Sequence, residues 1–323
     1  MYNLHNASEL LRQPVNLRKT AEKIRKQVYG DDIFLRGIVE FSNYCRKDCL
    51  YCGIRRSNNI KRYRLGKKKI LERVNKISLS GVKTVVLQSG EDLFYSRKLL
   101  CEIIKVIKKN YNLTVTLCIG QRDFDDYKAF FDAGAERFLI KHETSNERAY
   151  QILHPGEKLS ERLKIYEQLK KIGYEVGLGN IVGLPFIDLK DHIRDIFLMK
   201  ELDCDMAGIG PFIPAEGTPL ACFPSPDKEL VINILALARV VLKDVNIPAT
   251  TALYTLGDFS TLIEALRYGC NVVMPNFTPE EKRGSYRIYD GKKPVSVDLI
   301  KNQVPKYGFN ISFSHGYRRR QYV

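Results

Sequence analysis

The stretch Ile33-Phe-Leu-Arg-Gly-Ile-Val-Glu-Phe41, followed closely by Cys45-Arg-Lys-Asp-Cys49-Leu-Tyr-Cys52, decides how the rest of the chain is interpreted. Its first part is an apolar run typical of a buried strand. Its second part places three cysteines in a C-x3-C-x2-C pattern. An iron–sulfur cube normally takes four thiolates, and a structural zinc site takes four ligands. A four-iron cluster held by three thiolates would leave one iron open to a small molecule.

Length and composition indicate a globular protein without a membrane span. The chain has 323 residues, of which 44% are hydrophobic, and its apolar runs are shorter than the roughly 18 residues that a span needs. The N-terminal residues lack the basic-then-apolar pattern of a secretion signal, so we expect a cytoplasmic protein with no membrane contact. Eight cysteines in such a chain favour thiols or metal ligands over a disulfide framework.

The formal net charge of +15 raises the question of a nucleic-acid partner. The lysines and arginines are spread over helix faces, and no RNA-binding module is recognisable, so we expect no nucleic acid. An acidic low-potential electron donor, such as a ferredoxin or flavodoxin, fits the same charge through electrostatic steering. The basic run after the third cysteine could dock such a donor, contact a carboxylate of a bound small molecule, or be a solvated loop; it comprises Arg55, Arg56, Lys61, Arg62 and Arg64.

Strand-like and helix-like segments alternate along the chain. The apolar runs are residues 33–41, 83–88, 113–120, 136–143, 174–183, 205–212, 246–252 and 271–276. Strict alternation predicts a parallel sheet, and eight units predict a complete (βα)8 barrel of the TIM type. We expect residues 1–32 to form an N-terminal helical cap, residues 33–276 the barrel, and residues 277–323 a C-terminal extension packing on it.

Two predicted strands carry polar side chains on the face opposite their apolar side chains. In 136–143, Phe138, Ile140 and His142 alternate with charged residues, and 113–120 alternates in the same way. The apolar faces should meet the outer helices, which leaves polar residues in the barrel interior. These side chains indicate a polar substrate, or alternatively an internal salt bridge among the charged ones; the inward set is Thr114, Thr116, Cys118, Arg137, Lys141 and Glu143.

The cysteine pattern, with Tyr51 directly before Cys52, resembles the signature of the radical S-adenosylmethionine (SAM) superfamily. The cysteine loop also leaves the carboxyl end of the first strand, where barrel enzymes build their sites. The resemblance implies that Cys45, Cys49 and Cys52 hold a 4Fe–4S cluster. It further implies that SAM chelates the open iron and is cleaved by one electron to methionine and a 5′-deoxyadenosyl radical.

Further residues would contact SAM under this resemblance. Ser89-Gly90-Glu91-Asp92 ends the second strand, where such enzymes bind the SAM amino group, although a simple turn with a helix cap is the alternative. Glu143 and Arg162 could form a charge pair over SAM. Met206 either packs on adenine or belongs to the core. Each of three more residues either donates to an anionic substrate or serves as a cap or packed ring: Thr250, Thr251 and Tyr286.

Longer stretches resemble one family, the FeFe-hydrogenase maturation radical SAM maturases. They include EFSNYCRKDCLYCGIRR, RFLIKHETSN and DMAGIGPFIPAEGTPLA, and they extend over about residues 30–292. The resemblance implies partner hydrogenase maturases, namely a second radical SAM enzyme and a GTPase scaffold, and a small-molecule or cysteine-bound iron substrate. It places Glu143, Arg162 and Met206 against SAM. The residues that it assigns to the substrate cavity are Thr116, Arg137, Thr250, Thr251 and Tyr286.

The sequence departs from this family in ways that leave alternatives open. Some members carry a second cysteine triad near the C-terminus, whereas the sequence after Tyr286 has no cysteine, so we predict one cluster. Gln121 and Lys141 stand where an acid and an arginine are expected. The competing hypotheses are a methylornithine-synthase or biotin-synthase-like enzyme, a non-catalytic cluster carrier, and an RNA-modifying radical SAM protein.

Overall fold

The structure is a computed structural model that describes residues 4–320. The helices are α1 Leu4–Leu11, α2 Pro14–Tyr29, α3 Lys67–Leu79, α4 Arg97–Asn110, α5 Phe124–Asp132, α6 Glu147–Leu153, α7 Leu159–Ile172, α8 Leu189–Glu201, α9 Lys228–Leu242, α10 Thr251–Leu256, α11 Phe259–Tyr268, α12 Glu280–Arg283 and α13 Val297–Gln303, followed by a 3-10 turn Val304–Tyr307. The strands are β1 Asp32–Leu35, β2 Gly37–Ser42, β3 Thr84–Ser89, β4 Thr114–Cys118, β5 Arg137–Leu139, β6 Glu175–Leu178, β7 Ile181–Val182, β8 Met206–Ala207, β9 Gly210–Pro211, β10 Pro248–Ala249, β11 Val272–Val273 and β12 Asn310–Ser312.

The predicted parallel sheet is confirmed. Six strands lie in the order β2-β3-β4-β5-β6-β8, four lie in the order β10-β11-β1-β12, and β7 pairs with β9. The pairings are parallel, as expected when a helix connects successive strands. Arg36 alone separates β1 from β2, so one continuous segment contributes to both larger sheets.

The two longest predicted late strands are each divided in two. Residues 174–183 form β6 and β7, and residues 205–212 form β8 and β9. The division falls at Gly179 and Gly208, where a Cβ on Gly179 would lie 2.2 Å from the carbonyl oxygen of Gly208. Glycine is therefore required for the close approach of the two backbones, and the chain changes direction there.

The predicted orientation of the strand side chains is confirmed. The Phe138 ring lies 5.2 Å from that of Tyr127 and 5.9 Å from that of Tyr174, both of which belong to the helical side of the sheet. On the opposite face, Thr114 Oγ1 lies 2.9 Å from His315 Nδ1. Apolar residues thus bury one face under the helices, and polar residues project from the other face.

The terminal segments pack on different parts of the sheets. Helix α2 lies against α9 and α11, and Arg18 in α2 pairs with Glu229 at 2.6 Å. The C-terminal segment contributes β12, which pairs with β1. Beyond β12, Arg318 donates to both carboxylate oxygens of Asp244 at 3.0 and 2.8 Å. Over residues 4–320, no helix is long and apolar enough to cross a membrane.

Candidate active site

The cysteine loop starts at the carboxyl end of β2 and is fastened to the end of β3. The backbone N–H of Gly90 donates to the carbonyl of Ser42 at 3.0 Å, and the backbone N–H of Glu91 donates to Cys45 Sγ at 3.3 Å. A Cβ on Gly90 would lie 2.2 Å from the carbonyl oxygen of Tyr44. Gly90 therefore allows β3 to approach the backbone that carries the first cysteine.

The three cysteines are free thiols in half-buried positions. Burial raises the pKa of Cys45 and raises that of Cys52 to about 12. Burial and the two neighbouring cysteines together raise the pKa of Cys49 well above its ordinary value. Iron would have to displace these protons on binding. Cys45 and Cys52 lie close enough to Cys49 to raise its pKa, and Cys45 likewise raises the pKa of Cys52.

The donor set fits an iron–sulfur cluster better than a single metal ion. Among the described residues, no three His, Cys, Asp or Glu side chains are grouped so that they could hold a single metal ion. A single zinc would draw its sulfurs to about 2.3 Å from one point, whereas a cube takes each thiolate on a separate iron. Three thiols from one loop, with an amide N–H directed at Cys45 Sγ, match the second arrangement.

The acidic turn after β3 braces the cysteine loop. Glu91 accepts from Arg46 Nε at 2.6 Å and from the backbone N–H of Gln121 at 2.9 Å. Asp92 accepts from Ser42 Oγ at 2.7 Å and from Arg64 at 2.7 and 3.0 Å. Ser89 Oγ donates to the carbonyl of Gly90 at 2.6 Å. Both carboxylates are thus already paired, and the turn contacts Cys45 Sγ through the backbone N–H of Glu91.

A buried polar group beside the loop contains residues that sequence reasoning missed. Tyr51 Oη lies 3.0 Å from His154 Nε2, and the His154 ring stacks on Tyr150 with centroids 4.1 Å apart. Arg162 donates to Tyr150 Oη and to Glu157 Oε2, each at 3.2 Å. The spacing of Tyr150 and His154 by four residues at the end of one helix is compatible with their contact. Nothing in the sequence signals that Tyr51 and Arg162 meet them, because helices α6 and α7 bring these residues together only in the fold.

Charge and burial in this group act on two titrating side chains. Burial, with the charge of Arg162, lowers the pKa of His154 to about 4. Burial alone would lower the pKa of Arg162, but Tyr150 and Glu157 raise it above its ordinary value. At neutral pH the group therefore carries a neutral imidazole beside a permanent guanidinium.

Glu143, just after β5, has the most unusual environment of the predicted site residues. Its φ of 64° lies in the left-handed region, which is costly for a residue with a side chain. Lys141 Nζ lies 2.9 Å from Glu143 Oε2, yet that buried oxygen has no aligned hydrogen-bond donor among the described residues. Glu143 also acts electrostatically on Tyr51 and Cys52, so the orphaned oxygen lies within electrostatic reach of the cysteine loop.

Two other predicted residues lie in a different region. Arg137 is fully buried, pairs with Glu175, and donates to the carbonyl of His315 at 3.0 Å. Met206 Sδ accepts from Arg36 at 2.7 Å, and Arg36 also donates to the carbonyl of Gly316 at 3.3 Å. The structure thus places Arg137 and Met206 with the C-terminal segment, at the amino ends of the strands.

The remaining predicted residues are distributed around the inner face. Thr116 Oγ1 is buried without a hydrogen-bond partner in the described part of the chain. Thr250 caps helix α10 by accepting from the backbone N–H of Leu253 at 3.3 Å, and Thr251 is the first residue of that helix. Tyr286 Oη accepts from Gln88 Nε2 at 3.2 Å, and burial raises the Tyr286 pKa well above its ordinary value.

An ion pair beside Tyr286 was not predicted from the sequence. Lys292 pairs with Glu40, and both side chains are almost completely buried. Glu40 Oε2 also accepts from Asn276 Nδ2 at 3.1 Å, and the Lys292 ammonium lies 4.8 Å from the centre of the Tyr286 ring. The C-terminal residues after β11 therefore supply charged and aromatic groups to the inner face.

Comparison with known proteins gives consistent results. The sequence profile of the radical SAM superfamily matches residues 39–199. The chain is 46% identical over 277 residues to the [FeFe] hydrogenase maturase subunit HydE of Thermotoga maritima, which covers 85% of this chain and 79% of that protein. It is 27% identical over 272 residues to 3-methylornithine synthase of Methanosarcina acetivorans, covering 84% and 77% of the two chains.

Solved structures provide a comparison of the fold alone. The crystal structure of methylornithine synthase (PylB) superposes with a TM-score of 0.87 at 24% identity, over 96% of this chain and 94% of that one. The FeFe-hydrogenase maturase HydG from Carboxydothermus hydrogenoformans superposes with a TM-score of 0.85 at 20% identity, over 100% and 78%. The α/β architecture is therefore shared by proteins with quite different sequences.

Proposed function

Since the chain belongs to the HydE family of [FeFe]-hydrogenase maturases, within the radical SAM superfamily, we propose how its own residues serve that function. It is a radical SAM enzyme of hydrogenase maturation, and the family implies a 4Fe–4S cluster and SAM. When bound, the cluster supplies the electron that cleaves SAM to methionine and a 5′-deoxyadenosyl radical. The role of the protein is to hold SAM, exclude water and orient the substrate.

We propose that the sheets close into a complete (βα)8 barrel, with residues 1–32 as a cap and residues 277–323 as an extension on residues 33–276. Strand β1 pairs with β11, and β11 with β10. The backbone N–H of Ala207 donates to the carbonyl of Asn246 at 2.9 Å, and that of Asn246 donates to Asp205 at 3.2 Å. These bonds support a continuous ring, because they link β8 to the segment that enters β10.

We propose a single cluster on Cys45, Cys49 and Cys52. The other five cysteines support this count because they are dispersed along the chain, and Cys204 and Cys270 are buried in the apolar core. Anaerobically reconstituted protein should contain about four irons. A content of six or eight irons per chain would contradict a single cluster.

For SAM, the observation that carries the proposal is the buried Glu143 Oε2, which has no hydrogen-bond donor in the part of the chain that the structure describes. We propose that it accepts from the amine or ribose hydroxyls of SAM. Tyr51 lies within the electrostatic reach of both Glu143 and Arg162. Arg162 would face the SAM carboxylate, and Tyr51 would face the cluster. The Ser89-Gly90-Glu91-Asp92 turn would receive the amino group through its backbone, since its carboxylates are already paired. Met206 is proposed at adenine from the family resemblance alone; its sulfur accepts from Arg36 at the amino ends of the strands.

The experiment for this activity uses the cluster-loaded protein under anaerobic conditions. With dithionite and SAM, we expect 5′-deoxyadenosine as a product. The protein with Cys49→Ala serves as the control because it removes one cluster ligand. If the parent protein forms no 5′-deoxyadenosine although EPR confirms a complete cluster, the radical mechanism is refuted.

We propose that the inner face binds a small-molecule or cysteine-bound iron substrate. The Thr116 hydroxyl, which has no hydrogen-bond partner among residues 4–320, is available to a ligand. Cys118 of the same strand acts electrostatically on Tyr286, which adds a phenol, and the Lys292 ammonium lies 4.8 Å from the centre of that ring. The cavity residues proposed from the family resemblance are Thr116, Arg137, Thr250, Thr251 and Tyr286. Arg137 stands opposite Thr116 in the sheet register, and Glu175 and the His315 carbonyl already hold its guanidinium.

We propose that the partners are other hydrogenase maturases and an acidic low-potential electron donor such as a ferredoxin or flavodoxin, acting in the cytoplasm. A surface near Cys45 fits an acidic donor. There the Arg64 guanidinium lies 3.8 Å from the Tyr44 ring and 4.5 Å from the Phe94 ring, and all three side chains are exposed. Cationic and aromatic side chains of this kind are typical of interfaces.

A complementation experiment tests the maturation pathway. Hydrogenase should be expressed with its other maturases and with either this protein or its Cys49→Ala variant. We expect active hydrogenase only with the parent chain. Full activity with the variant would refute the assignment, whereas inactivity with both proteins, despite SAM cleavage in vitro, would favour another radical SAM substrate such as that of methylornithine synthase.

A further inference from the structure

Arg62 lies behind the cysteine loop and connects its two ends. Its guanidinium donates to four backbone carbonyl oxygens, one before the first cysteine and three after the third. Nη1 donates to the carbonyls of Asn43 at 2.6 Å and Ile54 at 2.8 Å, and Nη2 donates to those of Arg55 at 2.6 Å and Asn58 at 3.0 Å. A planar guanidinium can satisfy this set of acceptors, whereas a lysine ammonium cannot.

The charge of Arg62 differs from that of the neighbouring arginines. Arg55 pairs with Asp48 at 2.8 Å, and Arg64 pairs with Asp92 at 2.7 Å. Across residues 4–320, Arg62 forms no ion pair with a carboxylate, and its electrostatic neighbours are Cys45, Cys52 and Tyr44. Its positive charge is therefore balanced only by neutral carbonyl dipoles and remains available to the two thiols.

We propose that Arg62 is a positioning residue for the cluster, because it holds the cysteine loop in its ligating shape and keeps one uncompensated positive charge beside Cys45 and Cys52. This inference rests on the proposed function, in which these thiolates hold a 4Fe–4S cluster. Reduction adds one negative charge to such a cluster, and a nearby positive charge stabilises the reduced form. Arg62 thus makes the cluster easier to reduce and harder to lose.

Three variants separate the two contributions of Arg62. Arg62→Lys keeps the charge but loses the fork of hydrogen bonds, whereas Arg62→Gln loses both. Arg56→Gln is the matched control, because Arg56 is an exposed arginine of the same loop. The midpoint potential of the reconstituted cluster is measured by EPR-monitored redox titration, and loop integrity by chymotrypsin cleavage after Tyr51 in the cluster-free protein.

We expect Arg62→Gln to lower the equilibrium constant for cluster reduction about tenfold relative to Arg56→Gln. For a one-electron couple, this corresponds to a midpoint potential that is about 59 mV more negative. Arg62→Lys should shift the midpoint potential much less, because it keeps the positive charge. Both Arg62 variants should be cleaved several times faster than the control in the cluster-free state. Cleavage remains measurable even if Arg62→Gln retains no iron.

Any of three results would overturn the inference. Equal cleavage of the Arg62 variants and the Arg56→Gln control would show that Arg62 does not hold the loop. A midpoint potential of Arg62→Gln that matches the control would show that the charge of Arg62 does not act on the cluster, and so would an equal shift in Arg62→Lys and Arg62→Gln. Failure of the parent protein to bind any cluster would instead refute the proposed function.

Discussion

Lys141 Nζ lies 2.9 Å from Glu143 Oε2, but the lysine is not aligned to donate a hydrogen bond to this oxygen. The carboxylate is thus charge-compensated and still able to accept from a ligand. The left-handed backbone of Glu143 is held on both sides, because its N–H donates to the Gly179 carbonyl and its carbonyl accepts from Ile181. Strain maintained in this way is typical of a residue placed for function.

Removing the charge of Glu143 should weaken SAM binding. We expect Glu143→Gln to raise the Kd for SAM at least tenfold, because a charge-assisted hydrogen bond is replaced by a neutral one. Equilibrium binding to the cluster-loaded protein measures the effect. Glu147→Gln, an exposed residue on α6, is the control and should bind like the parent. Unchanged affinity in Glu143→Gln would remove Glu143 from the SAM site.

Adding one methyl group at Gly90 should disturb the cysteine loop. The new Cβ would lie 2.2 Å from the Tyr44 carbonyl oxygen and 2.9 Å from Cys45 Cβ, so Gly90→Ala should lose bound iron and destabilise the fold by about 1–3 kcal/mol. Gly66→Ala is the control, because its new methyl group would meet no atom within 4 Å. Iron content and urea unfolding report both effects, and parent-like iron content in Gly90→Ala would contradict this packing argument.

Protonation of His154 should destabilise the protein at mildly acidic pH. Its pKa is lowered to about 4 in the folded chain by burial, whereas an ordinary histidine titrates near pH 6.5, so the unfolded chain binds more protons between these values. The free energy of unfolding should therefore fall by about 2 kcal/mol between pH 7 and pH 5 through this residue. Urea unfolding of the cluster-free parent and of His154→Phe measures the difference, and identical pH dependence in the two proteins would contradict it.

Breaking the Arg318 contact should loosen the C-terminal segment. Arg318 and Asp244 are 10% and 6% exposed, so Arg318→Gln leaves a buried carboxylate without its partner and should cost about 3 kcal/mol. Arg320 is 53% exposed, and Arg320→Gln should cost about 1 kcal/mol or less. The midpoints of urea unfolding compare the two variants. Equal, small losses would show that the segment is not anchored through Arg318.

The local patterns of the sequence were sufficient to predict the parallel sheet, the face of each strand on which its apolar side chains lie, and the cysteine loop. Alternating apolar residues determine which face of a strand is buried, as at Phe138, and the spacing of Cys45, Cys49 and Cys52 needs only one loop. The family stretches then predicted the maturase relationship, which the 46% identity to HydE confirms. Each of these signals lies within a short segment, so it is readable without knowing the fold.

Contacts between distant segments were decided only by the tertiary structure. His154 meets Tyr51 across 103 positions, Lys292 meets Glu40 across 252, and Arg137 meets the His315 carbonyl across 178. No local periodicity encodes such pairs, because they depend on how helices and terminal segments pack around the sheet. The sequence by itself therefore determined the cysteine loop and the family. Packing decided that Arg62 bridges that loop, that one Glu143 carboxylate oxygen lacks a hydrogen-bond donor within residues 4–320, and that Arg137 and Met206 lie with the C-terminal segment.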